Sequence, residues 1–431
     1  MQHNELKESF NLYGAHCQRN RKYLAAKMAF KQALTFEPDN VTLWSNLGAV
    51  SHELFEFDQA KELLTKAIEK SPDYAAPYAN YALVLNTIND HKKANWYSEK
   101  AISLDPECTL HHWNYALNML DDGDWENGFK EYEWRKKHIP ADYPNYKAPL
   151  WQGEDLSNKS IIVYEEQGIG DRILFSRFIF QLKQRYPTCK IYWMSINALL
   201  PLFWEYQKHD ICEFIPLNVL LPETDYGVFE MSLPLLLKCF DPNNVPPDPG
   251  FIKDRCMAQK DTVKTTTYLP GGKRIGLCWH GSHSHAQDHM RSIPLEKLLP
   301  LINHPFYTWY SLQMPPDDAE LEKLGAQDLI KDLSKNMDKE NWVKTGVILL
   351  NMDLVITVDT AIAHLAGNLG VPVWLLVPKS SSWIWTRQGK TTAWYPNMTI
   401  FRQDKPMEWG PVIENVQKAL DLCMNEITKA K

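Results

Sequence analysis

The stretch DLVITVDTAIAHLAGNLGVPVWLLVP, residues 353–378, decides how the larger part of this chain folds. DLVITV is apolar and β-branched, which predicts a buried strand. AIAHLAGNLG has helical spacing and a terminating glycine, Gly370. VPVWLLV predicts a second buried strand. Two apolar strands joined by a helix are the unit of a parallel sheet with helices on its faces. Asp359 and Thr360 fall at the strand-to-helix turn, so the helix N-terminus opens at the carboxyl edge of the sheet. Its unpaired N–H groups and positive end favour an anion such as phosphate. Ala361 and Ala363 let a ligand approach the backbone closely, and the Thr360 hydroxyl adds a donor. A plain helix cap at Asp359 or Thr360 is the simpler alternative. It leaves His364, one turn further on, without a role, and we favour the ligand.

The same alternation extends on both sides. Upstream, strands are expected at IIVYEE (161–166), IYWMSI (191–196), CEFIPL and YGVFEMS, with helical spacing in RILFSRFIFQLKQRY and LLPLFWEYQ. Pro/Gly clusters between 241 and 272 break the pattern and mark a boundary. Further strands are expected at 274–281, 306–313, 328–333, 353–358, 371–377 and 398–403. The tail, PVIENVQKALDLCMNEITKA, is an amphipathic helix that could pack back across the first half. The domains are therefore 143–250, a linker at 251–272, and 273–431. Ligands of such sheets bind at the carboxyl ends of the strands.

The first third is a repeat. Proline recurs every 34 residues at Pro38, Pro72, Pro106 and Pro140, preceded by Ala33, Ala67 and Ala101. Small residues recur at Gly14, Gly48, Ala82 and Ala116, and at Ala26, Ala60, Ala94 and Gly128. This pattern resembles the tetratricopeptide repeat, a pair of antiparallel helices that stacks into a solenoid because one unit cannot bury its own apolar face. About four units span 7–142, and the solenoid domain is placed at 1–142. Asn46, Asn80 and Asn114 share one register on the first helix of each pair. Evenly spaced amides there can grip the backbone of an extended peptide, or can tie neighbouring helices together.

Composition narrows the function classes. The 431 residues carry a net charge of −7, which argues against a nucleic-acid groove. No apolar run reaches the roughly 18 residues of a membrane span. The polar start contains no secretory h-region. Eight scattered cysteines form no C-x-x-C and fit free thiols in a reducing cytoplasm.

Two further motifs flank the expected cleft. In EEQGIGDRILF (165–175), Gly168 and Gly170 permit a tight turn, and Asp171 opens a helix where a carboxylate could take a proton from an acceptor. An N-cap role for Asp171 explains it as well. The third glycine of a dinucleotide fingerprint is missing, so no NAD site is assigned. In WHGSHSHAQDHMRSIPL (279–295), four of the 14 histidines fall within ten residues, at His280, His283, His285 and His289. They show no repeated ligand spacing, so no metal is assigned. Arg291 is the expected cation for a diphosphate.

Taken in order, these motifs carry a resemblance. P-x-W-x-G, IIVYEEQGIGD, W-x-G…RSIPL, YSLQ (310–313) and DTAxAHLAGxLGxPVW are together similar to bacterial tetratricopeptide-repeat glycosyltransferases of the heptosyltransferase-like kind. GDWENGFKEYEWR (123–135) fits the last repeat of that family. The repeat array resembles, at shorter length, that of O-linked N-acetylglucosamine transferases, whose asparagine ladder grips peptides. The resemblance implies an α-solenoid followed by an α/β GT-B fold of two Rossmann-like domains, the acceptor half first and the nucleotide-sugar half second. It implies Asp171 as catalytic base. It implies donor contacts from Arg291, Gln313, Asp359, Thr360, Ala361 and His364, and acceptor contacts from Asn46, Asn80 and Asn114; Gly170 and His280, in the neighbouring turns, are further candidates for donor contact. One departure is the family's W-R-W, which reads Trp383-Ile384-Trp385 here, with Arg387 close by.

The expectation is an inverting, metal-independent transferase in the cytoplasm. It takes a nucleotide-diphosphate sugar as co-substrate, needs no further cofactor, and acts on a protein or peptide acceptor. The only D-x-D, Asp122-Gly123-Asp124, sits in a repeat turn, which argues against a metal-dependent GT-A site. The alternatives are a repeat scaffold with a degenerate transferase domain, and a transferase acting on a saccharide or lipid-linked glycan.

Overall fold

A computed structural model describes residues 2–429 except 139–147, 218, 263–271, 286, 303–305 and 315–318, with side chains from 6 to 423. The fourth repeat proline, Pro140, the solenoid end at 142 and residues 263–271 of the expected linker lie outside the described residues. The chain divides into two compact units, Met1–Ile139 and Pro140–Lys431.

The first unit is four antiparallel helix pairs: α1 (Gln2–Arg19) with α2 (Tyr23–Phe36), α3 (Val41–Glu53) with α4 (Phe57–Lys70), α5 (Ala75–Thr87) with α6 (His91–Leu104), and α7 (Thr109–Asp122) with α8 (Trp125–Tyr132). The periodic small residues lie where paired helices cross. A Cβ on Gly14 would stand 2.7 Å from the Phe30 ring, and one on Gly48 would stand 2.7 Å from Leu64 Cγ. Ala26, Ala60 and Ala94, one per repeat, are fully buried, as are Ala33, Ala67 and Ala101. A second 34-residue period lies in the backbone. Arg21, Phe55, Asn89 and Gly123 have positive φ of 58°, 62°, 67° and 84°. The N–H of the next residue then closes each turn onto the first helix, Lys22 on Cys17 O, Glu56 on Ser51 O, Asp90 on Leu85 O and Asp124 on Met119 O, at 2.8–3.0 Å. Only the last repeat places a glycine in this left-handed position.

The second unit contains two parallel sheets. The first is built from β1 (Ser160–Tyr164), β2 (Lys190–Ser195), β3 (Glu213–Pro216) and β4 (Tyr226–Phe229), in the order β3-β2-β1-β4. Its helices are α9 (Ile169–Arg185), α10 (Trp204–Lys208) and α11 (Leu233–Leu236), and α12 (Phe251–Ala258) follows. The second contains β5 (Lys273–Cys278), β6 (Tyr307–Ser311), β7 (Ile330–Asp332), β8 (Leu354–Val358), β9 (Val373–Val377) and β10 (Met398–Arg402), in the order β10-β9-β8-β5-β6-β7. Its helices are α13 (Asp288–Arg291), α14 (Leu295–Ile302), α15 (Ala319–Lys323), α16 (Trp342–Leu349), α17 (Ala361–Leu369) and α18 (Gly410–Lys429). Among the described residues every strand pair is parallel. Helical repeats followed by two parallel sheets are the solenoid plus GT-B-like architecture that the motifs implied.

Three details of the reading are settled differently. The described side chains of the tail helix α18 pack on the second sheet. Val412, Ile413, Val416 and Leu420 join Ile275, Leu277, Trp309 and Leu376 in the core of the second sheet, and Tyr307 Oη donates to Leu420 O at 3.0 Å. The expected linker holds a packed helix, α12. Phe251 meets the Tyr206 ring at 5.0 Å, and Cys256 Sγ lies 2.4 Å from where a Cβ on Gly346 would be, so α12 is gripped from both halves. The stretch LLPLFWEYQ is helical only from Trp204 onward.

The strand orders locate the ligand edge. In the first sheet the chain reverses direction between β1 and β4, and in the second between β5 and β8. Crevices open at such switch points, beyond the carboxyl ends of the strands. The loops there begin at Glu165, Glu230, Trp279 and Asp359.

Candidate functional site

The turn after β1 does not use its glycines as expected. The left-handed residue is Gln167, at φ 66°, while Gly168 has φ −86°. Gly170 is required by packing: a Cβ there would lie 2.7 Å from His364 Cδ2 and 3.5 Å from Ala361 Cα. The N-termini of α9 and α17, one from each switch point, therefore meet face to face.

Asp171 is the third residue of α9. Its Oδ2 accepts the Gly168 N–H at 3.1 Å, so the capping role is real. The carboxyl is nevertheless pushed up to about 6. Burial is the main cause, and the like charge of Asp359 adds to it, while the Gly168 N–H pulls the other way. Burial also raises Asp359, and Arg291 draws it back.

Behind Asp171 lies an acidic group that the motif reading passed over. Glu165 Oε2 pairs with Arg172 Nη1 at 2.9 Å, both buried. Glu166 Oε1 accepts the Met231 N–H at 2.7 Å and so ties the β1 turn to the β4 turn. Glu230 is fully buried, and burial pushes its carboxyl well up. Adjacent glutamates after an apolar strand were the only local signal.

On the other side, the N-cap residue of α17, Thr360, makes no side-chain capping hydrogen bond. Thr360 instead directs Oγ1 to Thr357 Oγ1 at 3.3 Å, while its carbonyl accepts from Ala363 and His364. A helix N-terminus of this kind presents backbone N–H groups and the positive end of the helix dipole. His364 is buried, with Nδ1 3.1 Å from Tyr395 Oη and its ring 4.8 Å from the Trp385 ring. Burial, with Arg177 and Arg291 nearby, lowers it to about 3, so the imidazole is neutral. Arg177 comes from α9, where its Nη1 donates to Trp394 O and Pro246 O. No spacing linked Arg177 or Tyr395 to the motifs, because each arrives from a distant element. Ile384 is buried within the short helix Trp383–Trp385.

The β5 loop holds the remaining residues. Gln313 Oε1 accepts the N–H groups of Trp279 and His280 at 3.1 and 2.9 Å, and its Nε2 donates to His280 O at 3.3 Å. It shapes the loop through the backbone. His280 Nε2 lies 3.5 Å from Glu320 Oε2. The Arg291 guanidinium packs over Gly281, where a Cβ would stand 2.5 Å from it, and its Nε lies 3.5 Å from Asp288 Oδ1. His280, His283 and Asp288 converge, which the histidine spacing did not reveal.

In the solenoid, Asn80 Nδ2 donates to Ser45 Oγ at 3.1 Å and so ties two repeats together. Asn46 and Asn114 are half-buried at the same register.

No family model matches the chain. Protein FlbA of Caulobacter vibrioides (strain ATCC 19089 / CIP 103742 / CB 15) is 26% identical over 323 residues, which are 68% of this chain and 52% of that protein. The chain thus spans about half the length of the curated relative it matches. Among solved structures, a mutant of the Thermobaculum terrenum O-GlcNAc transferase overlays 87% of this chain and 83% of its own, at 15% identity and a TM-score of 0.35. MamA from Desulfovibrio magneticus RS-1 overlays 32% of this chain and 77% of its own, at 19% identity and a TM-score of 0.28. Among the described residues no helix is long and apolar enough to cross a membrane.

Proposed function

We propose that this chain is an inverting glycosyltransferase that takes a nucleotide-diphosphate sugar. The observation that carries the reading is the meeting of two switch-point turns. One presents a carboxyl raised to about 6, and the other an uncapped helix N-terminus beside an arginine. An activating base and a diphosphate cradle on opposite sides of one cleft are what sugar transfer needs.

In the step we assign, Asp171 takes the proton of an acceptor O–H or N–H. The acceptor atom bonds to the anomeric carbon from the face opposite the leaving group. The bond between that carbon and the β-phosphate oxygen breaks, and the nucleoside diphosphate departs with the electron pair. The first turn of α17 and Arg291 stabilise the charge that gathers on the diphosphate. Gln313 holds the backbone of Trp279 and His280 in place for this. Gly170 is the close contact that lets the two turns meet.

The acceptor we assign is a protein or peptide engaged by the repeats. The Asn80–Ser45 tie weakens the asparagine-ladder form of this idea, because that amide is committed within the solenoid. The test is incubation with nucleotide sugars and a panel of peptide and saccharide acceptors, followed by mass spectrometry. Transfer by the wild type and its loss in Asp171→Ala supports the reading. Full transfer by Asp171→Ala removes Asp171 from this role.

A further inference from the structure

The loop between β5 and α14 brings together three side chains that the transfer step leaves unused as a set. One ligand atom each from His280, His283 and Asp288 lies within 4.8 Å of the others. We propose that these three residues bind a divalent transition-metal ion of the class that prefers imidazole nitrogen with one carboxylate oxygen, zinc foremost. The ion would tie the start of the loop to α13 and so fix the helix that carries Arg291.

The geometry suits such an ion. Ligand atoms about 2.1 Å from a tetrahedral zinc lie about 3.4 Å from one another. His283 Nδ1 and Asp288 Oδ2 are already 3.1 Å apart. The 4.8 Å limit on the rest leaves a gap of at most about 1.4 Å, which side-chain rotation can close. The surroundings also fit. A ligating histidine commonly presents its second nitrogen to a carboxylate. Here His280 Nε2 lies 3.5 Å from Glu320 Oε2, and His280 Nδ1 is buried with no hydrogen-bond partner among the described residues. Ser292 Oγ donates to Asp288 Oδ1 at 2.9 Å and orients that carboxylate. Arg291 opposes a cation, but its Nε lies near Oδ1, while Oδ2 faces His283. The carboxylates of Asp288 and Glu320 offset that charge.

The site does not rest on the transferase reading, and no step of transfer is routed through it. The test is calorimetric titration of the full chain, stripped with chelator, with Zn2+, and with Co2+ absorption as a second readout. The expected result is one tightly bound ion that also raises the unfolding midpoint. His283→Ala is the deciding variant, because that side chain is 58% exposed and its loss opens no core. Loss of a mere outer-sphere partner weakens metal binding roughly 10–100-fold, so His283→Ala should weaken it by about a hundredfold or more. Cys108→Ala, in a separate solenoid cluster with Asp105 and His111, should leave it unchanged. No ion bound by the wild type, wild-type binding by His283→Ala, or loss in Cys108→Ala instead would each overturn the proposal.

Discussion

Gly170 and His364 touch where any side chain larger than hydrogen would collide: a Cβ at 170 would lie 2.7 Å from the His364 ring. That ring cannot swing freely, because Tyr395 Oη holds Nδ1 and Trp385 covers a face. Gly170→Ala should therefore push α9 and α17 apart, at a cost of about 1–3 kcal/mol, and weaken donor binding. Gly168→Ala should cost less than about 1 kcal/mol, because its Cβ would meet only Asp171 Oδ2, at 3.4 Å, and its φ is ordinary. Thermal unfolding of the two variants checks this contrast.

As the proposed base, Asp171 should link activity to pH. With its carboxyl at about 6, kcat/KM should rise as pH increases through that value and the base loses its proton. Stability should run the other way. Between about pH 4 and 6 the folded chain keeps a proton that the unfolded chain has released, so folding weakens as pH rises through this window. Asp171→Asn keeps an oxygen for the Gly168 N–H but cannot ionise. It should gain about 1–2 kcal/mol over wild type above pH 6, allowing for partial exposure, and nothing below pH 4. Transfer by this variant should fall by about 10²–10⁴-fold. Denaturant midpoints across pH, beside pH–rate profiles, test both halves.

The proposed function makes Arg291 the cation of the diphosphate cradle. Arg291→Gln should weaken nucleoside-diphosphate binding by about 10–100-fold, the loss of one hydrogen bond to a charged group, and should leave the solenoid unaffected. Arg291→Lys should recover only part of this, because a point charge cannot reproduce the planar fork. Calorimetry on the three proteins decides it.

The left-handed turn residues of the solenoid predict stabilising changes. Arg21 is exposed at φ 58°, where a side chain carries a steric cost of about 1–2 kcal/mol that glycine avoids. Glycine adds chain entropy to the unfolded state, of about 0.5–1 kcal/mol. Arg21→Gly should therefore stabilise by up to about 1 kcal/mol. Gly123→Ala, at φ 84°, should destabilise by a similar amount. Opposite shifts in unfolding midpoint would bear this out.

The repeat was legible because its small residues recur at 34 and each is demanded by a helix crossing. The strands were legible because buried parallel strands read as continuous apolar runs. The left-handed turn escaped notice, although it also recurs at 34, because Arg21, Phe55 and Asn89 share no chemistry that signals it. The packing role of Gly170 was hidden because its partner, His364, is nearly two hundred residues away. Arg177, Tyr395 and Glu230 reach the site from separate elements, so only the tertiary fold assembles them. The placement of α18 was missed because amphipathicity names the buried face of a helix and not the surface that covers it.

The central claim is that the first turn of α17 cradles a diphosphate. The most direct measurement is calorimetric binding of UDP, GDP, ADP and CMP, alone and as sugar conjugates, to the wild type and to Thr360→Trp, which fills the turn. One nucleotide bound at micromolar affinity, roughly −8 kcal/mol, and lost in Thr360→Trp, is the predicted result. Equal binding by the two proteins, or binding of none of the panel by the wild type, would contradict it.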